Sequence, residues 1–255
     1  PELLELGCPV TRLEQQYRQS DNESALFYNV VNYPKLFDSE ELKFDESFNL
    51  IPTNEGDIFT VIQEEAAKRH LAGENVQVIA TTRADVKKLN ETLQQVVNPP
   101  AEGKPEVTHN GISIRENDRT MILKNNREER CFNGDIGTAH VEPMEGGSAF
   151  IHIPLSANRQ PKFFSAKIGS TLTLAYALTV HKSQGSQYDT VIMPASTDCQ
   201  KMLRRNLFYT AISRAKKQVI LVGSKEALHI AMVTPPESRK SMLVTKTHQK
   251  MHFAA

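Results

Sequence analysis

Apolar positions recur at helical spacing between Glu55 and Ala72, where Ile58, Val61, Ile62, Ala66 and Leu71 fall on one stripe. Lys68 and Arg69 lie near its end, where the helix dipole favours cations, and Gly73 follows. This predicts an amphipathic helix. Val76-Gln77-Val78-Ile79-Ala80 is a short, mostly apolar run of strand length, and Thr82–Val96 returns to helical spacing. Asn98-Pro99-Pro100 closes that unit, because proline neither continues a helix nor leaves its predecessor free to be helical.

From Pro100 to about Ser170 the pattern breaks into strand-sized pieces, Arg119–Leu123, Ile136–Val141 and Ala149–Ile153, divided by Gly, Asn and Pro turns. A small all-β insert is expected, with Asn133-Gly134 supplying a turn of positive φ. The alternation then resumes with strands Leu174–Val180 and Thr190–Pro194, helix Met202–Ala215, strand Gln218–Gly223 and helix Lys225–Met232. Strands alternating with helices predict an α/β parallel sheet covered on both faces. Beyond Thr234 a Pro-Pro step, lysines and sparse apolar residues predict a mobile tail.

The 255 residues, 39% apolar, suffice for one large domain or one domain with an insert. No apolar run reaches the roughly eighteen residues that span a bilayer, and no charged-then-apolar leader opens the chain, so cytoplasm and no membrane partner are expected. Cys8, Cys131 and Cys199 form no C-x-x-C pair and read as free thiols, which leaves no metal site in view. Thirty basic residues balance thirty acidic ones. A polyanion would therefore be held by a local groove rather than by a global field.

Two segments concentrate the chemistry. In Leu174–Asp189 an apolar lead breaks into His181-Lys182-Ser183-Gln184-Gly185-Ser186-Gln187, a loop delivered by a strand to a ligand. Thr179, Ser183 and the amides near Gly185 can bond phosphates, glycine lets backbone approach closely, Lys182 adds charge and His181 can stack or donate. In Asn206–Lys217 a helical stripe containing Leu207, Ala211 and Ile212 ends in Arg214, Lys216 and Lys217. A guanidinium fork on a rigid element suits a transferring phosphoryl group, and it equally caps a helix end. Thr81-Thr82-Arg83 follows a strand and starts a helix, which fits either a backbone phosphate at a positive helix end or ordinary capping.

Together the two segments resemble motifs V and VI of superfamily 1 helicases, closest to the RecD-like branch, and Tyr17-Arg18 resembles the segment after motif III. The resemblance implies a RecA-like parallel sheet flanked by helices, with a small SH3-like insert. Its parts would be 1–99 and 171–232 for the RecA-like lobe, 100–170 for the insert and 233–255 for the tail. It implies Arg18 and Arg214 as catalytic forks at ATP, with Tyr17, Gly185 and Gln187 near the nucleotide. Relatives often carry glutamate where Gln187 stands. Thr81, Thr82, Arg83, Thr179, His181, Lys182, Ser183 and Gln184 would touch single-stranded DNA, and in the insert Lys124, Arg127 and Arg130 could reach phosphates, although Glu128 and Glu129 sit among them and a solvated charged loop explains the run as well.

No G-x-x-x-x-G-K-[ST] loop and no acidic Walker-B strand occurs in the chain. ATP and Mg2+ would therefore sit mainly on an N-terminal RecA-like lobe outside these residues, as partner to this one. The isolated chain would not hydrolyse ATP. A 5′ to 3′ polarity and a repair, recombination or conjugation complex follow from the resemblance alone. The rival readings are a degenerate lobe that binds single strands or recruits a partner without a motor cycle, and a lobe of an RNA virus helicase.

Overall fold

The computed structural model describes residues 9, 11, 19, 23–33, 42–197 and 204–235. In chain order they form α1 (Ala25–Val31), β1 (Phe48–Pro52), α2 (Ile58–Leu71), β2 (Val76–Ala80) and α3 (Arg83–Val97). Eight short strands follow: β3 (Glu106–His109), β4 (Ile112–Arg115), β5 (Arg119–Ile122), β6 (Ile136–Thr138), β7 (His140–Pro143), β8 (Ala149–His152), β9 (Lys162–Phe164) and β10 (Leu172–Leu174). The chain ends with β11 (Ala177–Thr179), β12 (Tyr188–Ala195), α4 (Arg205–Ile212), β13 (Ala215–Gly223) and α5 (Lys225–Val233).

Five strands make one parallel sheet in the order β1-β13-β12-β2-β11. Every residue of β2 is buried, as expected of a strand covered on both faces. Its side chains divide accordingly. Val78 and Ala80 pack with Ile62 of α2 and Leu89 of α3, whereas Ile79 joins Leu26 of α1, Phe208 of α4 and Leu228 of α5 on the other face. The eight short strands form antiparallel sheets, β10-β5-β6, β3-β4 and β7-β8-β9, whose core runs into the α2–α3 side.

Side chains finish what the sheet leaves open. β11 is an edge strand, and Asn90 of α3 completes it: its Nδ2 donates to the Ala177 carbonyl at 3.0 Å and its Oδ1 accepts from the Ala177 amide at 2.9 Å. An amide side chain thus replaces a neighbouring strand and blunts the edge. At the far end of β13, Gly223 has φ 140, and a Cβ there would fall inside the carbonyl oxygen of Ala195. Gly223→Ala should therefore lower stability by about 3 kcal/mol or more, read as the urea midpoint. A midpoint unchanged from the parent would contradict this geometry.

Three predicted elements differ. Leu174–Val180 is not one strand: β10 pairs with β5 of the insert, the chain turns at Ala175-Tyr176, and β11 enters the main sheet. Gln77, buried in β2, holds the break by donating to the carbonyls of Ala175 (3.2 Å) and Tyr176 (3.0 Å). The helix expected over Met202–Ala215 is described only from Arg205 and ends at Ile212, and Met202 lies outside the described residues. Arg214 therefore sits in a turn, and Lys216 and Lys217 belong to β13. Ile136–Val141 is likewise divided, because Ala139 leaves the ladder to bond Asp118 and Asn117. The residues from 236 onward, expected to be a tail, also lie outside the described residues.

His70 ends α2 edge-on to the Tyr176 ring, with centroids 5.6 Å apart. Burial, and then the charge of Arg119, push its pKa from 6.5 down to about 4. The folded imidazole stays neutral while the unfolded one takes up a proton. Its contribution is therefore complete above about pH 6.5 and is lost as the pH falls to about 4, a change of up to about 3 kcal/mol. His70→Phe keeps a ring and removes the proton, so its urea midpoint should fall less than the parent's between those pH values. Parallel curves would exclude His70 as the cause.

Candidate functional site

The carboxyl ends of β2 and β11 lie side by side, with Thr179 paired to Ala80. They deliver Thr81-Thr82-Arg83 and the His181-Lys182 turn to the same edge of the sheet. Between them, α3 and the insert lies a cavity of about 1130 Å³. Thr81, Thr82, Arg83, Thr179, His181 and Lys182 all line it, over an apolar floor that includes Val86, Met121 and Leu178. The opposite wall is the β3–β4 hairpin, whose two-residue turn, Asn110-Gly111, has both residues at positive φ (50 and 72).

The hydroxyls in this cavity have different duties. Thr82 caps α3, accepting from the Asp85 amide at 3.1 Å and donating to the Asp85 carboxylate at 2.6 Å. The Thr81 hydroxyl is buried and has no hydrogen-bond partner. A buried hydroxyl left unpaired on a cavity wall is a group that a ligand oxygen can satisfy. Thr179 accepts from the Lys182 amide at 3.3 Å. Ser183 is fully buried and donates to the Val180 carbonyl at 2.8 Å, so it shapes the turn from within, while Gln184 and His181 are exposed.

The loop does not stay at this edge. β11 and β12 flank β2, and on β2 Thr179 stands level with Ala80 but Thr190 with Val76. The eight residues Val180–Gln187 thus return about 20 Å along the strand direction and about 10 Å sideways, with no helix, where a crossover usually takes about a dozen residues. At the far end Gly185, at φ 89 with open space around it, and exposed Gln187 come beside Arg214. The Arg214 Nη1 donates to the Ser186 carbonyl at 3.5 Å. Its Nε caps α4 at the Thr210 carbonyl (3.0 Å) and its Nη2 donates to Ser213 Oγ (3.2 Å). Burial raises the pKa of the nearby Tyr188 hydroxyl, against the opposing charges of Arg119 and Arg214.

Tyr17 and Arg18 lie outside the described residues. Among the described residues no three His, Cys, Asp or Glu side chains converge to hold a metal ion, and no helix is long and apolar enough to cross a membrane. Cys131 is a free, buried thiol. In the sequence Asn133 reads only as a turn residue, and its contact stays concealed: its Oδ1 accepts from Lys182 Nζ at 2.7 Å and ties the insert to the loop. Sequence reasoning overlooked the Asn110-Gly111 turn, although Asn-Gly between two alternating runs is a hairpin signal.

Residues 89–146 match the model of the ATP-dependent RecD-like DNA helicase SH3 domain, and residues 174–222 match that of the UvrD-like helicase C-terminal domain. The chain is 32% identical over 158 residues to the ATP-dependent RecD2 DNA helicase of Deinococcus radiodurans, covering 62% of this chain and 21% of that protein. It is 31% identical over 112 residues to the RecBCD enzyme subunit RecD of Mycobacterium tuberculosis, covering 44% and 19%. The chain thus spans about a fifth of the length of these relatives. A crystal structure of Pif1 helicase from Bacteroides in complex with ADP-AlF3 and ssDNA superposes with a TM-score of 0.51 at 18% identity, over 94% of this chain and 56% of that one, a likeness of fold. The chain is thus similar to the C-terminal part of RecD-like DNA helicases, with a parallel sheet flanked by helices and an insert that matches their SH3 domain.

Proposed function

We propose that the chain is the C-terminal lobe of an ATP-dependent 5′ to 3′ single-stranded-DNA translocase and helicase, acting in the cytoplasm within a repair, recombination or conjugation complex. The observation that carries this reading is the Val180–Gln187 crossover. It joins the cavity lined by Thr81, Thr82, Arg83, Thr179, His181 and Lys182 to the sheet end that holds Arg214.

On this reading the strand lies in the cavity. The Thr81 hydroxyl and the first amides of α3 receive a backbone phosphate, exposed Arg83 and half-buried Lys182 add charge, and His181 and Gln184 approach from the rim. Ser183 keeps the turn in shape. At the other end Gly185 admits a nucleotide to the backbone, Gln187 stands at its sugar, and the Arg214 fork faces its terminal phosphate. Arg18 and Tyr17 would join there. Bound ATP with Mg2+ would supply a cleavable phosphoanhydride. Since no phosphate-binding loop occurs in this chain and no metal-ligand cluster among its described residues, both are assigned mainly to an N-terminal RecA-like lobe. Arg214 would complete that lobe's site, and its link to Ser186 would pass closure of the cleft to the grip on the strand.

Arg214 also favours a second reading, a strand-binding module without a motor cycle, because its guanidinium already caps α4. Arg214→Ala in an enzyme holding both lobes separates the two. Loss of ATP hydrolysis with DNA binding kept supports the motor, and undiminished hydrolysis overturns it.

A further inference from the structure

One large apolar side chain near the groove has no role in the reading so far. Phe132 is 55% exposed at the tip of the insert. It is not a frayed residue. Its amide donates to Asp135 Oδ2 at 2.8 Å, the Asn133 amide to Asn125 Oδ1 at 2.7 Å, and the Gly134 amide to the Ile122 carbonyl at 2.8 Å. The Arg159 guanidinium lies over the ring, 5.4 Å from its centroid, and is itself held by the Arg130 carbonyl and by Asp135. A rigid scaffold that presents an aromatic ring to water calls for a ligand with a flat apolar face.

Its surroundings narrow that ligand. Lys182, on the cavity wall, bonds Asn133, the residue next to Phe132. Lys124, Arg127 and Arg130 are exposed nearby on the same insert segment and make no ion pair among the described residues; two acids sit among them, exposed Glu128 and half-buried Glu129, whose carboxylate accepts from the Lys162 amide. A ring set among cations, continuous with a cavity whose own walls suit phosphates, fits a base followed by its backbone.

We infer that Phe132 is a stacking platform for one unpaired nucleobase at the mouth of the groove, with Lys182 and the surrounding cations taking the adjoining phosphates. This rests on the strand-binding reading above and adds to it a contact that senses bases rather than charge.

The chain contains no tryptophan, so Phe132→Trp installs a sole fluorescent reporter at the proposed site. Titrated with an oligothymidylate of about a dozen nucleotides, its emission should be quenched, and an abasic oligonucleotide of equal length and charge should leave it unchanged. Phe132→Leu, which keeps an apolar side chain without a ring, should weaken thymidylate binding about fivefold or more while leaving abasic binding unaltered. An unquenched tryptophan, in a chain whose thymidylate binding is salt-sensitive and falls with Lys182→Ala, would sink the stacking inference and leave the groove reading standing. Equal quenching by the abasic strand would also sink it. Failure of the unmutated chain to bind thymidylate would overturn both.

Discussion

Arg214→Ala should lower ATP hydrolysis about a thousandfold or more in an enzyme that holds both lobes, with affinity for single-stranded DNA changed by less than about threefold. The separation follows from position. The guanidinium stands at the amino-terminal edge of β12 and β13, beside Ser186, while the cavity that would hold the strand opens at the opposite edge of the sheet. Removing the side chain also removes its bonds to the Thr210 and Ser186 carbonyls and to Ser213 Oγ, together worth about 1–3 kcal/mol. A fall in melting temperature of about 2–10 °C is therefore expected beside the loss of hydrolysis. Arg214→Lys keeps a cation near the helix end and loses the planar fork. Its stability should match the parent while its ATPase resembles that of the alanine variant. If lysine restores turnover, the residue is a point charge or a cap, and the phosphate-facing assignment is wrong.

Asp118→Ala is expected to be the most destabilising of the substitutions discussed. Asp118 is fully buried between the insert and the main sheet, where its carboxylate accepts from Asn98 Nδ2 (2.7 Å), Gln94 Nε2 (2.5 Å), the Arg115 amide (2.7 Å) and the Tyr176 hydroxyl (2.8 Å). Those donors come from the end of α3, from the β4–β5 turn and from the β10–β11 break. One side chain therefore fastens both chain crossings at the root of the insert. Alanine would leave the Arg115 amide and the Tyr176 hydroxyl without this acceptor, and Gln94 and Asn98 with only their bonds to the Ser113 and Glu116 carbonyls, at a cost of about 3–5 kcal/mol and a drop in melting temperature of about 6–15 °C for a chain of this size. Hydrogen exchange should rise first around Asn98, Arg115 and Tyr176. A uniform rise across the molecule, with no local excess at those residues, would show that Asp118 does not anchor the joint.

The elements with long periodicity were legible in the sequence. The α2 and α3 stripes and the largely apolar run of β2 carry their own signals, and the structure places β2 and α3 within a residue, while α2 starts three residues late because Glu55–Asp57 forms a 3-10 turn. What escaped were features decided by distant partners. The break at Ala175-Tyr176 is invisible in an apolar run; it exists because Gln77 and Asp118, far off in sequence, bond there. Arg214 reads as a helix residue by composition, yet β13 begins one residue later because Ala215 must pair with Tyr188. At the candidate site the residue types of the His-Lys-Ser-Gln-Gly string were readable, but not which hydroxyls are already taken. Thr82 and Ser183 bond within the chain, and only Thr81 is left unsatisfied among these three.

The Val180–Gln187 connection has little spare length. Stretched fully, nine Cα-to-Cα steps reach about 30 Å, and the path from Thr179 to Tyr188 uses about 22 Å of it while still forming a turn. A strap this tight has no slack to absorb a tug, so a displacement at His181 must be felt at Ser186. Two or three extra glycines spliced in after Gly185 would lengthen the strap without touching either anchorage, leaving each end able to act alone and deaf to the other.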